Sequence, residues 1–157
     1  MTNNQMSNKY EIGEREPHRI EEYLTLMDEF AEEIDTPFYD PEHVKIMGQA
    51  AITADDVVAL HLLKDGKAVG LIWGLVMGHP FAPKITILHE MAWFVSKEAR
   101  NTSWSVRLLK AFEAEGKKRG AVLIVASLIL KLGGAKLQKV YEKLGYDLAE
   151  MSLIKEV

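Results

Sequence analysis

Near the start of the chain, apolar residues recur at spacings of three and four, which is the pattern of an amphipathic helix. Pro41 favours the first turn of a second helix, because proline has no backbone N–H to leave unpaired there. Gly120 and Gly145 mark the ends of two further helices, since glycine readily adopts the left-handed conformation that ends a helix. The four predicted helices cover residues 17–34, 41–51, 104–119 and 135–144.

Between these helices lie apolar runs rich in β-branched residues, which predict strands. The Asp65-Gly66 pair separates two of the runs and is a strong signal for a tight β-hairpin turn. The continuous apolar run 121–128 is typical of a strand that is buried on both faces. The predicted strands cover residues 57–63, 68–77, 85–95, 121–128 and 149–155.

In chain order the elements are a helical pair, a hairpin, a strand, a helix, a strand, a helix and a strand, which predicts a mixed α/β fold. The 157 residues, 48% of them hydrophobic, suffice for a single domain spanning 1–157, with 1–9 as a polar, flexible arm. The lack of cysteine excludes disulfides and thiol catalysis and fits a cytoplasmic protein. No stretch reaches the ~20 apolar residues of a membrane span, so we expect no membrane partner.

The charge is unevenly distributed along the chain, although the net charge is only −4. Residues 97–143 contain eleven basic and four acidic side chains, and residues 1–56 contain four basic and fourteen acidic ones. The basic segment suits a polyanion, and the acidic segment would attract a cation. The alternative for each segment is a set of solvated helix faces.

Two segments resemble the GNAT superfamily of acetyltransferases. Residues 91–100, MAWFVSKEAR, followed by LLKAFE and KKRGA, resemble its coenzyme-binding segment, in which a strand leads through a loop into a helix. Residues 140–146, VYEKLGY, resemble its closing signature. The resemblance implies a central, mixed and mostly antiparallel sheet flanked by helices, and acetyl-coenzyme A as cosubstrate. Within the superfamily, the chain is most similar to the short acetyltransferase-like proteins of bacteriophages and prophages.

The resemblance assigns coenzyme binding to the strand end and to the loop after it. A loop that leads into a helix offers unpaired backbone N–H groups to a phosphate, and the family's loop is usually glycine-rich. Here the loop contains no glycine, and the alternative is that it only caps the helix. The expected coenzyme-binding residues are Trp93, Phe94 and Val95, through their backbone, and Arg100, Asn101, Thr102, Ser103, Trp104 and Ser105.

Two side chains are candidates for the proton transfers of acetyl transfer. Glu90 is an acid in an otherwise apolar strand, and burial would raise its pKa towards neutrality, as a general base requires. Its alternative is an outward-facing or salt-bridged residue. The resemblance implies that Tyr141 is the general acid, and its alternative is a core aromatic residue beside Leu137 and Leu144.

The sequence leaves the acceptor and the partners open. The five histidines have no metal-binding spacing, so we expect no metal. The leading hypothesis is an N-acetyltransferase acting on a primary amine of a small molecule or a protein. The alternatives are a nucleic-acid-modifying acyltransferase, which the overall acidity disfavours, and a degenerate family member that binds a partner or interferes with a host factor. A homodimer is expected only by analogy.

Overall fold

Three long strands form an antiparallel meander at the centre of the protein. In the computed structural model, which describes residues 9–130, 133–155 and 157, these are β2 (Val57–Lys64), β3 (Lys67–His79) and β4 (Ala82–Val95). The β2–β3 turn places Asp65 at φ 51° and Gly66 at φ 82°, the left-handed conformations that a tight hairpin needs. The predicted hairpin is therefore confirmed.

Two short strands complete a five-stranded sheet of order β1-β2-β3-β4-β5. Strand β1 (Tyr10–Glu14) pairs antiparallel with β2, and β5 (Leu123–Val125) pairs parallel with β4. The sheet is mixed and mostly antiparallel, as predicted. The sequence did not predict β1, and the predicted flexible arm, apart from residue 9, lies outside the described residues.

Helices cover both faces of this sheet. After a 3-10 turn at Pro17–Arg19 come α1 (Ile20–Ile34) and α2 (Pro41–Thr53), close to the predicted spans. The short α3 (Lys97–Arg100) and the long α4 (Ser103–Lys118) follow β4.

The hydrophobic core has one layer on each face of the sheet. Leu26 of α1 packs with Leu71 and Phe94 on one face. On the other face α4 lies close to the strands, and a Cβ added at Gly74 would come within 2.7 Å of the Phe112 ring. Glycine at this position therefore allows the close approach of α4.

The chain divides into two compact units, Met1–Ser127 and Leu128–Val157. The second contains α5 (Gly134–Lys143), which ends as predicted before Gly145 at φ 92°.

Two strand predictions from the second half of the chain are wrong. Within 121–128 only Leu123–Val125 is a strand, and Leu123 is half exposed, because β5 is an edge strand of the sheet. Residues 149–155 contain no strand. A strand needs a ladder partner as well as a favourable side-chain pattern, and the pattern alone cannot supply that partner.

Candidate active site

The strands β4 and β5 pair over only three residues. Strand β5 pairs with β4 at Ile87, Leu88 and His89, and the ladder then stops. Strand β4 continues to Val95, and in the described part of the chain its edge from residue 90 onwards has no β5 partner. Among the described residues, therefore, no strand pairs with this side of β4 beyond His89.

A β-bulge lies where this pairing ends. The register with β3 pairs Gly74 with Glu90 and Trp73 with Ala92, which leaves Met91 without a counterpart. Met91 is exposed, whereas Glu90 and Ala92 on either side are buried. Bulges are common beside active sites because the extra residue re-aims the neighbouring side chains.

The Glu90 side chain is 5% exposed, and its Oε2 accepts a hydrogen bond from the backbone N–H of Ser127 at 3.1 Å. Burial raises the pKa of Glu90 to about 7, and the Ser127 N–H opposes this rise by favouring the carboxylate. The burial that the sequence predicts for Glu90 is therefore present. At neutral pH this carboxyl group can both accept and release a proton.

The segment after β4 contains the four-residue helix α3 and then leads into α4. Thr102 is the N-cap of α4, and its Oγ1 accepts from the N–H of Trp104 at 3.3 Å. In the first turn of a helix the N–H groups have no partner within the helix, so those of Ser103 and Ser105 can bind an anion. Asn101 and Ser103 are exposed, and Thr102, Trp104 and Ser105 are partly buried.

Arg100 is held by protein groups. Its guanidinium donates to both carboxylate oxygens of Glu33 in α1, at 2.9 and 3.1 Å, and to the carbonyl of Val95 at 2.9 and 3.0 Å. It also lies over the Phe94 ring, 5.4 Å from the centroid. Arg100 therefore ties the end of β4 to α1.

Trp104 stacks on Tyr10 of β1, with ring centroids 5.4 Å apart, and Arg107 covers the indole at 4.6 Å. Strand β1 is the edge of the sheet opposite to β5. The bulky residue in the glycine-free loop is thus packed against the β1 edge of the sheet.

Tyr141 belongs to the second unit. It lies on α5, is 4% exposed, and meets the Tyr146 ring edge-on with centroids 4.9 Å apart. The backbone N–H of Tyr146 donates to the Tyr141 carbonyl at 3.0 Å. The closing segment that resembles the family signature therefore folds as a helix end with an aromatic pair.

Comparison with known proteins identifies the family. The model of the acetyltransferase (GNAT) family matches residues 16–146. The chain belongs to the GNAT acetyltransferase family. No curated protein sequence matches the chain, so the likeness to bacteriophage proteins stays a prediction.

Solved structures show the same GNAT fold at low sequence identity. An aminoglycoside N-acetyltransferase, AAC(6')-Iy, in complex with coenzyme A, is similar with a TM-score of 0.79 and 15% identity, covering 98% of this chain and 97% of that one. A ribosomal-protein-alanine N-acetyltransferase from Brucella melitensis biovar Abortus 2308 has a TM-score of 0.72 and 15% identity, covering 95% and 99%. An aminoglycoside acetyltransferase from an uncultured soil metagenomic sample has 0.74 and 18%, covering 95% and 99%.

Membership of this family confirms the predicted enzyme class, an N-acetyltransferase. It also agrees with the prediction that acetyl-coenzyme A is the cosubstrate. The first unit partly fits this cosubstrate. The open edge of β4 can pair with an extended arm, and the start of α4 offers N–H groups for a pyrophosphate. Two groups expected to bind the coenzyme are already bonded within the protein. The Arg100 guanidinium donates to Glu33, and the Val95 carbonyl accepts from Arg100.

Metal-binding and membrane-spanning features are both absent from the part of the chain that the structure describes. Its residues contain no group of three or more His, Cys, Asp or Glu side chains arranged to hold a metal ion. Among its helices, none has the length and apolar character needed to cross a bilayer.

Sequence reasoning missed two features of the site. Ser127 was not predicted to contact Glu90, because the contact depends on where β5 ends. The Arg100–Glu33 pair joins residues 67 positions apart, and nothing in the local sequence signals it.

Proposed function

We propose that this GNAT protein transfers the acetyl group of acetyl-coenzyme A to a primary amine by direct attack, with Glu90 as the general base. The observation that carries the proposal is the Glu90 carboxyl group, buried where β4 and β5 part, with a pKa of about 7. A base with this pKa is half ionised at neutral pH and can accept a proton from an ammonium group.

The chain's own groups would hold the cosubstrate in two places. The backbone of Trp93 and Phe94 lies on the open edge of β4, where an extended pantetheine arm can add as a further strand. The N–H groups of Ser103 and Ser105 at the start of α4 would bind the pyrophosphate. Asn101 and Thr102 would shape this cradle, and Arg100 would orient it through Glu33 instead of contacting phosphate.

Acetyl-coenzyme A supplies an activated thioester carbonyl. Glu90 takes a proton from the ammonium form of the acceptor, directly or through one water molecule, which frees the nitrogen lone pair. The new N–C bond forms as the C–S bond breaks, and the departing sulfur needs a proton. We assign that proton to the phenol of Tyr141, which otherwise packs against Tyr146. The second proton, which the nitrogen loses as it becomes an amide, then restores the phenol through solvent.

The acceptor is a cation before it reacts, and the acidic segment 1–56, with fourteen acidic against four basic residues, would attract it. Amines of small molecules and of proteins alike carry this charge. The basic segment 97–143 leaves a nucleic-acid acceptor as an alternative, and a homodimer is a further proposal by analogy with the family.

Two measurements test the proposal. Isothermal titration of the purified protein with acetyl-coenzyme A should give micromolar binding, and dephospho-coenzyme A should compete less well if the basic segment contributes. An acetylation assay over a panel of primary amines should then give turnover that Glu90→Gln and Tyr141→Phe each reduce about 10²-fold or more. Absence of binding at millimolar acetyl-coenzyme A would refute the proposal and favour a partner-binding protein that kept only the fold.

A further inference from the structure

The segment after α5 leaves large apolar side chains in solvent. Its residues 147–155 form neither a helix nor a strand. Met151, Leu153 and Ile154 are between 74% and 96% exposed. Single apolar side chains are common on protein surfaces, but three within four positions form a patch of the kind that marks an interaction site. A surface of this kind needs a partner that covers it.

The side chains of this segment alternate as they do in a strand. In an extended chain Ala149, Met151 and Leu153 lie on one face. Glu150 and Ser152 lie on the other face. The segment contains neither proline nor glycine, which would weaken a strand. It lacks only a neighbouring strand, because within the described chain it has no ladder partner.

Strand β5 offers a matching surface in the first unit. It forms one edge of the sheet, and within the described chain β4 is its only strand partner. Its sequence is Leu-Ile-Val, and both Leu123 and the preceding Val122 are exposed. An apolar edge strand without charge or proline can readily pair with a further strand.

The other free edges of the sheet are protected against such pairing. Strand β1 carries the charged residues Glu11 and Glu14. The first part of β4, before its pairing with β5, carries Pro83 and Lys84. Proline cannot donate to a ladder, and charged side chains disfavour pairing between edges. Of these three edges β5 alone has neither a charge nor a proline, which indicates that its edge is covered in the working protein.

We propose that two copies of the chain exchange these segments, so that residues 149–155 of each copy add as a strand to the free edge of β5 in its partner. Each copy carries one unprotected apolar edge and one apolar segment. Reciprocal exchange uses both in each copy and closes a two-fold symmetric dimer. A different protein partner would cover only one of the two surfaces. The homodimer, proposed above by analogy alone, thereby acquires a specific interface.

The exchange affects the candidate active site through Ser127. This residue follows β5 by two positions and donates its N–H to Glu90 at 3.1 Å. Strand β5 has only three residues and a ladder on one side, so its position is weakly fixed. A strand from the partner would hold β5 on both sides and steady this hydrogen bond. The exchange leaves the β4 edge beyond His89 unchanged for the coenzyme.

The oligomeric state of the purified protein tests the exchange. Sedimentation velocity over a range of micromolar concentrations compares the wild-type protein with Leu153→Asp, which places a charge in the exchanged strand. Phe81→Asp is the matched control, because Phe81 lies in the β3–β4 turn and is 95% exposed, as Leu153 is 96% exposed. Each variant replaces a side chain that is in solvent in the single copy, so neither should disturb the fold of that copy.

Cross-linking tests which segments meet. The chain has no cysteine, so Leu123→Cys in a copy with a size tag and Met151→Cys in a co-expressed untagged copy supply the only thiols. A short bis-maleimide should join tagged to untagged chains, as seen by denaturing electrophoresis. Phe81→Cys in place of Leu123→Cys should give at least tenfold less of this product.

We expect a wild-type dimer at micromolar concentration, a dimer Kd at least tenfold higher in Leu153→Asp, and an unchanged Kd in Phe81→Asp. A monomeric wild-type protein would overturn the proposal, and so would a Leu153→Asp protein that dimerises as the wild type does. Absence of the tagged–untagged product would overturn it as well. If Leu153→Asp does not fold, the cross-linking pair decides the question.

Acetylation separates this inference from the proposed function, on which it does not rest. A monomer that acetylates amines would refute the exchange and leave the acetyltransferase mechanism intact. A dimer joined by the exchanged segments that binds no acetyl-coenzyme A would confirm the exchange and refute the proposed function.

Discussion

His61 on β2 and Glu90 on β4 are two ionisable side chains buried in the same sheet, 3% and 5% exposed. Their surroundings differ. Burial disfavours the charged form of each side chain, so it lowers the pKa of His61 and raises the pKa of Glu90 to about 7. Burial alone therefore does not distinguish them. The difference lies in what surrounds each side chain.

His61 is enclosed by partners. It lies on β2, which has a neighbouring strand on both sides, and its Nδ1 is 2.8 Å from the Tyr23 hydroxyl. On β1 the opposite residue is Gly13, where an added Cβ would come within 2.7 Å of His61 Nε2. A neutral imidazole bonded in this way is a structural residue.

Glu90 lies instead where a neighbouring strand ends. Its hydrogen bond within the described chain comes from one backbone N–H, that of Ser127, whereas a carboxylate can accept about four. Glu90 comes directly after His89, the last β4 residue that pairs with β5. A gap in the sheet, together with burial, therefore marks the candidate catalytic group.

The largest expected effect is on catalysis by the Glu90→Gln variant. We expect its kcat/KM for amine acetylation to fall about 10²-fold or more, because the amide cannot accept the ammonium proton. In the wild-type protein kcat/KM should rise with pH and reach half its plateau near pH 7, where Glu90 ionises. The variant should lose this step, as measured by initial rates between pH 5.5 and 9.

Glu14→Gln is the matched control for this prediction, because Glu14 is an exposed glutamate on β1. It should retain the rate and the pH step of the wild-type protein. A Glu90→Gln enzyme that keeps the same pH step would show that another group is the base.

The next effect in size is on stability, and it does not depend on activity. Because the pKa of Glu90 rises from 4.5 to about 7 on folding, the folded state binds the proton more tightly. Ionisation of Glu90 therefore lowers the free energy of unfolding as pH increases from about 4.5 to 7. Glu90→Gln removes this loss and should be more stable than the wild type by roughly 2–3 kcal/mol at pH 8.

Urea unfolding at pH 4.5 and pH 8 measures this difference. The gain of the variant should nearly vanish at pH 4.5, where folded wild-type Glu90 is protonated and its ionisation no longer costs stability. An equal difference at both pH values would mean that the substitution acts through packing and that Glu90 has no raised pKa.

The sequence predicted Glu90 for a physical reason that survives in the structure. An acid in an apolar strand is costly unless its surroundings compensate, and the strand could be recognised from its β-branched, apolar run. The hairpin was predictable because Asp65 and Gly66 adopt left-handed conformations that few other pairs tolerate. Both predictions depend on local chemistry.

The failures depend on partners that are distant in sequence. Strand β1 is too polar to predict, and it forms because β2 offers a ladder edge. Arg100 carries the charge expected of an anion-binding residue, but Glu33 pairs with it from α1. A cavity next to Gly48 exists only once α2 is placed over β2 and β3. Local pattern cannot specify such long-range contacts.

The smallest of the three effects concerns the enclosed partner of the comparison, His61. Tyr23→Phe removes the hydroxyl that contacts His61 Nδ1 and accepts from the N–H of Glu16. Both polar groups would then lack this partner in a partly buried site, so we expect a loss of about 1–2 kcal/mol in the free energy of unfolding at pH 7. Urea unfolding monitored by circular dichroism measures it.

Tyr39→Phe is the matched control, because Tyr39 donates to Asp28 in an exposed hydrogen bond and the same atom is removed. Water can replace that surface hydrogen bond, so the control should lose less than about 0.5 kcal/mol. If the two variants were equally stable, the Tyr23–His61 contact would contribute nothing beyond a surface hydrogen bond. The Tyr23 contact would then not distinguish His61 from Glu90. The contrast between the two buried groups would depend only on the end of β4–β5 pairing beside Glu90.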